Sequence, residues 1–188
     1  MAVGDIGMEH IESIVIDDVN TYYAMDARAV SQDFKHLHIR VEGRWNNSSG
    51  ATYPYIWFGE GGSVNNGAVY NRGTHNGYMN NGTYQSAYGD SGGSVGYLGE
   101  GLTNTSHGAG FTGVIYGDIV NYSNSSVHSS LHYHSWFVED TASTYWKFAR
   151  GWVNYKVASA LNVVYVQATS GSTNFQVGSR LDIWGYNN

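Results

Sequence analysis

Three sets of side chains in this sequence have types and spacings that could do chemistry. Ser91 sits in GDSGG (89–93), the spelling that surrounds the nucleophile in one class of serine hydrolases. Acyl transfer by such a serine needs a histidine base, a carboxylate to orient it and backbone N–H groups to hold the oxyanion. The upstream histidines are His10, His36, His38 and His75, and Ser91 comes too early for the two barrels that hold such a triad. With 25 Gly among many Ser and Asp, composition alone can produce the pentamer, so it reads as a glycine-rich loop. His132 and His134, followed by Glu139 in HYHSWFVE (132–139), are the second set. Alternate strand residues project from one face, so two imidazoles and a carboxylate could hold a divalent cation. The second, proline-containing hairpin of such a site has no match, since Pro54 is the only proline. His36 and His38 repeat the same spacing by plain alternation, and a solvated polar face is the expectation. Third, Asp17 with Asp18, Glu139 with Asp140, and Glu60 with Glu100 could serve as the acid and base of a glycosidase. Nothing in the spacing brings any two together, and turns favour Asp on other grounds. The expectation is no catalytic residue, no metal site and no cofactor.

Aromatic side chains are the remaining candidates. Tyr70, Tyr78, Tyr84, Tyr88 and Tyr97 fall among Asn, Gly and Ser, where rings make low-entropy recognition surfaces on which sugars stack. They form the candidate contact surface. Trp45, Trp57, Trp136, Trp146, Trp152 and Trp184 lie in strand-like runs, so most of them are expected in the core.

The elements that must position these groups are strands. In FKHLHIRVEGRW (34–45), Leu37, Ile39 and Val41 alternate with His36, His38, Arg40 and Glu42, the pattern of a half-buried strand. Similar runs occur at 11–17, 53–59, 113–122, 129–139, 144–155, 161–169 and 179–186, and no helical periodicity competes with them. About eight or nine strands predict an all-β, antiparallel β-sandwich of jelly-roll type. Residues 1–10 read as a short arm and 11–188 as a single domain, with a Gly/Asn/Tyr-rich excursion at 62–110. Asn-Gly at 66–67, 76–77 and 81–82 predicts tight turns there.

Composition narrows the function. At 188 residues with 41% hydrophobic side chains the chain can bury a core, yet only 13% are charged against about 25% in an average domain. A net charge of −6 with no basic run argues against nucleic acid as a partner. There is no Cys, hence no disulfide framework, and no apolar run long enough to cross a membrane as a helix. The N-terminus lacks the basic and apolar regions of a secretory signal.

The order of segments carries a resemblance. FKHL (34–37), the Asn46 to Tyr53 segment NNSSGATY, the GEG turn (59–61), IVNY (119–122), GW (151–152), LNVV (161–164) and NFQVGSRLDIWG (174–185) follow one another. In that order they resemble a β-sandwich family of tailed-phage virion proteins, especially of marine and cyanobacterial hosts, over roughly residues 10–187. The chain departs from many members by running directly from its KHL strand into NNSSG. The resemblance implies a phage virion structural protein and no enzyme. Within it, a capsid decoration or cement protein is expected, because no heptad or collagen-like shaft is present. Its partners would be the major capsid protein or other virion proteins, and itself as a homotrimer. The alternative is a tail-fibre or appendage tip that binds host-surface carbohydrate.

Overall fold

The computed structural model describes residues 7–18, 24–46, 54–79, 88–99, 102, 112–138, 146–168 and 174–187. Among them are thirteen strands and no helix. They are β1 (Glu9–Val15), β2 (Ala24–Ala27), β3 (His36–Gly43), β4 (Tyr55–Glu60), β5 (Ser63–Val64), β6 (Tyr70–Met79) and β7 (Tyr88–Gly93). There follow β8 (Gly96–Tyr97), β9 (Gly113–Val120), β10 (Ser129–Val138), β11 (Trp146–Tyr155), β12 (Val163–Gln167) and β13 (Arg180–Tyr186). One sheet has eight strands in the order β1-β13-β3-β9-β10-β11-β6-β7, and the other has β2-β12-β4-β5 with β8 also on β4. The pairings between these strands are antiparallel.

Period-two alternation decides which face of each strand enters the core. Leu37, Ile39 and Val41 of β3, Ile115 and Ile119 of β9, Leu131 and Tyr133 of β10 and Leu181 and Ile183 of β13 are buried. From the other sheet Met25, Ile56, Phe58, Val164 and Val166 join the same cluster, so one core lies between two layers, consistent with a β-sandwich.

Tyr133 shows how the inner face is shaped. Its register row is Gly117 on β9, Tyr133, Gly151 on β11 and Thr74 on β6. A Cβ on Gly117 would lie 2.8 Å from the Tyr133 Cβ, and one on Gly151 would lie 2.5 Å from its hydroxyl. The two glycines therefore leave the width that the phenol ring fills, and its hydroxyl reaches Thr74 Oγ1 at 2.6 Å. Burial pushes the Tyr133 phenol well above its ordinary value, which keeps it neutral and able to donate.

The middle of the chain departs from its expected form. β6 is a regular ten-residue strand, paired along its length with β11 and over its first half with β7. Asn76-Gly77 lies inside it, opposite Ala149 and Phe148, and makes no turn. GDSGG likewise is not a loop, since residues 89–93 are part of β7, with Ser91 opposite Asn71. Pairing with a long neighbouring strand overrides the weak local preference of Gly and Asn for turns. Asn66-Gly67 does follow a local turn, closed by the Gly67 N–H donating to Asn65 Oδ1 at 3.0 Å. Asn81-Gly82 lies outside the described residues. β2, β5, β6, β7 and β8 are the strands beyond those legible as alternating runs.

Candidate functional site

The outer side of the eight-stranded sheet collects the side chains that the core rejects. Because Leu131, Tyr133 and Ser135 of β10 point inward, His132, His134 and Trp136 are exposed. Their neighbours on β11 are Trp152, Arg150 and Phe148, in that order. On β9 they are Asp118, Tyr116 and Val114. Beyond β11, strand β6 places Gly73, His75 and Gly77 in the same three rows. The result is a grid of rings around Arg150. Trp136 is 54% exposed, Phe148 37% and Trp152 38%.

The rings support one another laterally. Tyr116 stacks on His134 with centroids 5.6 Å apart and meets Trp136 edge-on at 5.7 Å. The band continues through His38, 6.5 Å from Tyr116 and 5.7 Å from Trp184, to His10, 5.9 Å from Trp184. Gly73 makes room for the Trp152 indole, since a Cβ there would lie 2.7 Å from Trp152 Nε1.

Charges on this face are mostly paired. Arg40 Nη2 meets Glu42 Oε2 at 2.6 Å, and His38 Nδ1 meets Asp118 Oδ1 at 2.9 Å. Asp182, only 1% exposed, accepts from Arg180 and, at 2.5 Å, from Ser13 Oγ. Burial by itself would raise the Asp182 carboxyl, but those two hydrogen bonds and the charges of Arg180 and Arg40 together hold it below the usual carboxylate range. Its folded value lies under the unfolded one of about 3.9, so it stabilises the fold above that pH and ceases to as pH falls through the folded value. Asp182→Asn should lower stability by about 1–2 kcal/mol at pH 7. Urea unfolding should find the gap to wild type narrowing below about pH 4. Arg150, by contrast, is exposed and has no ion-pair partner among the described residues.

The residues expected from sequence to form a contact surface are dispersed. Tyr70 is fully buried and is corrected to a core residue: its hydroxyl donates to the Asn65 carbonyl at 2.8 Å and accepts from the Phe58 N–H at 2.9 Å. Tyr97, half-buried in β8, lies under the Arg72 guanidinium at 3.4 Å and beside Tyr55 at 5.0 Å. Tyr78 and Tyr88 belong to β6 and β7, opposite Lys147 and Thr74, and their side chains lie outside the described part of the structure. Tyr84 lies outside the described residues altogether.

The tryptophans split as well. Trp45 is buried, but Trp136 and Trp152 are exposed and not core, because both have the outward parity of their strands. The shared face of His132 and His134 already implied this for Trp136, two residues further on; that signal was present in the alternation. His132 Nε2 lies 3.2 Å from Ser130 Oγ, and His134 is occupied in its stack on Tyr116. Glu139 lies outside the described residues, among which no group of three potential ligands could hold a metal ion. Elsewhere, an open polar depression is lined by Lys35, His36, Asn121, Ser123, Asn124 and Ser125. Comparison with known proteins finds no matching family model, no matching curated protein and no matching solved structure.

Proposed function

We propose that this chain is a structural protein of a tailed-phage virion. It is a decoration protein that clasps the head shell as a homotrimer, through contacts with itself and with the major capsid protein. The wrapping of its strands supports the reading. Numbering β1, β2, β3, β4, β8, β9, β12 and β13 one to eight, one sheet runs one-eight-three-six and the other two-seven-four-five. That is jelly-roll order, an architecture used by viral capsid and lectin domains. β5 to β7 and β10 to β11 are insertions, of which β10, β11, β6 and β7 widen one sheet.

The observation that carries the reading is edge strand β1. Among the described residues it pairs with β13 alone, leaving its other backbone row open. Val15 within it is 51% exposed, Met8 just before it 53%, and Val177 at the turn before β13 is 52% exposed. Proteins usually blunt an open edge with charge, proline or a covering loop. Glu9 at its start and Glu12 in its middle supply charge, and the register shifts between His10 and Glu12. Met8 just before the strand and Val15 at its end are nonetheless apolar and exposed, which suits the addition of a neighbouring chain. Binding only to the assembled shell then stabilises that shell by mass action.

Purified protein added to shells that lack it is expected to bind and to raise their resistance to heat. The Met8→Lys, Val15→Lys double variant should weaken that binding about tenfold or more. Its own stability should change by only about 0.5 kcal/mol per site, because both side chains are exposed. Wild-type protein that neither binds the shells nor protects them refutes the proposal.

A further inference from the structure

The grid on β10, β11 and β6 has a cation at its centre and open rings around it, and we infer that it is a binding platform for carboxylated sugars, the uronic-acid units of an acidic polysaccharide. This inference stands on the geometry of the outer face and does not depend on the virion reading. Trp152 and Phe148 flank Arg150 at two residues on either side along β11, about 7 Å each way at strand rise. Trp136 lies directly opposite Phe148, and His132 and His134 lie opposite Trp152 and Arg150. On the β6 side of the grid Gly73 leaves room for the Trp152 indole, and His75 stands opposite Arg150, adding a further ring to the platform.

Each component matches one part of a uronic acid. The C–H groups on a pyranose face are weakly positive and meet the negative face of an aromatic ring. The guanidinium presents a planar fork of donors that fits a carboxylate through two parallel hydrogen bonds. Arg150 is exposed and without an ion-pair partner among the described residues, whereas Arg40 and Arg180 on the same face are held by Glu42 and Asp182. The imidazole of His132 and the Arg150 guanidinium supply hydrogen-bonding edges for sugar hydroxyls between the rings.

Charge also argues against a two-fold contact with a second copy of this chain at this face. A two-fold interface matches the same patch on both subunits. Centred on Arg150, it would bring the two guanidinium groups together, while the described carboxylate of the grid, Asp118, already faces His38. An anionic ligand supplies Arg150 with a countercharge, a local attraction that acts against the net charge of −6.

The test is binding of polygalacturonate, measured by isothermal titration alongside its carboxyl-reduced neutral counterpart. Wild-type protein should bind the acidic polymer at least tenfold more tightly than the reduced one, and added salt should weaken the interaction. Arg150→Gln should lose about tenfold in affinity for polygalacturonate and remove most of the preference for it. Trp136→Ala and Trp152→Ala should each lower affinity for both polymers about tenfold. All three residues are exposed, so unchanged circular dichroism and melting temperature should accompany these losses. Equal binding of the two polymers, or unchanged affinity in Arg150→Gln, overturns the proposal. So does no binding together with a wild-type oligomer that dissociates on Trp136→Ala, an outcome that would make the face a contact between copies.

Discussion

Trp45→Ala is expected to lower the stability of this protein by about 3–5 kcal/mol, the range for removing a large aromatic side chain from a core. Trp45 is fully buried just beyond the end of β3, with its indole 4.6 Å from the ring of Phe175. The two residues form a β-bridge, and the backbone around it is tied by Asn46 N–H to the Asn174 carbonyl at 3.0 Å and Gln176 N–H to the Arg44 carbonyl at 2.9 Å. The bridge extends the strand pairing below β3 and β13, so loss of the ring should loosen one end of the fold. The melting temperature should fall by about 6–20 °C. The indole nitrogen has no hydrogen-bond partner among the described residues. Trp45→Phe therefore gives up volume but no hydrogen bond, and it should retain well over half of the lost stability. Equal damage from the two substitutions in denaturant unfolding would show that the indole N–H matters and the ring packing does not.

Gly151→Val should cost about 3 kcal/mol, at the upper end for overpacking a filled interior. A Cβ at this position would lie 2.4 Å from the Gly73 carbonyl oxygen and 2.5 Å from the Tyr133 hydroxyl. The first neighbour is backbone, so β11 and β6 would have to separate or Tyr133 would have to leave Thr74. Arg150 and Trp152 flank Gly151 in the chain and carry the outer platform. The substitution should therefore disturb sugar binding from the opposite side of the sheet. Tyr133→Phe is the matched control. It removes the bond to Thr74 for about 1 kcal/mol without adding bulk, and it should leave the platform intact. Gly151→Val that melts like wild type would mean that the strands part at no cost, contrary to the close contact.

Legibility followed the strength of the local pattern. β3, β9, β10, β11, β12 and β13 are runs of β-branched and aromatic residues whose places could be read directly, and the alternation in β3 and the paired histidines of β10 also marked their outward faces. β6 could not. Its sequence YNRGTHNGYM contains Gly, Asn and the very dipeptide that favours a turn. It is extended because β11 pairs with it at ten successive positions, from Tyr70 with Tyr155 to Met79 with Trp146, partners far away in the chain. The same is true of GDSGG, an edge strand held by β6. Tyr70 was misjudged for the same reason. It begins β6, and only the packing of Phe58 and Tyr155 around it, at 6.3 and 5.5 Å, makes it part of the core.

By itself the amino-acid order determined that this is an all-β chain and which residues of the alternating strands share a face, because the pleat sends successive side chains to opposite sides. Where both sides of a strand carry apolar or small residues, as in β11, tertiary structure alone decided which face is covered. That choice depends on which side of the widened sheet the second layer packs against, and local alternation cannot express it. Trp152, one of the tryptophans expected mostly in the core, therefore stands in solvent beside Arg150, with Phe148 and Trp136 near it.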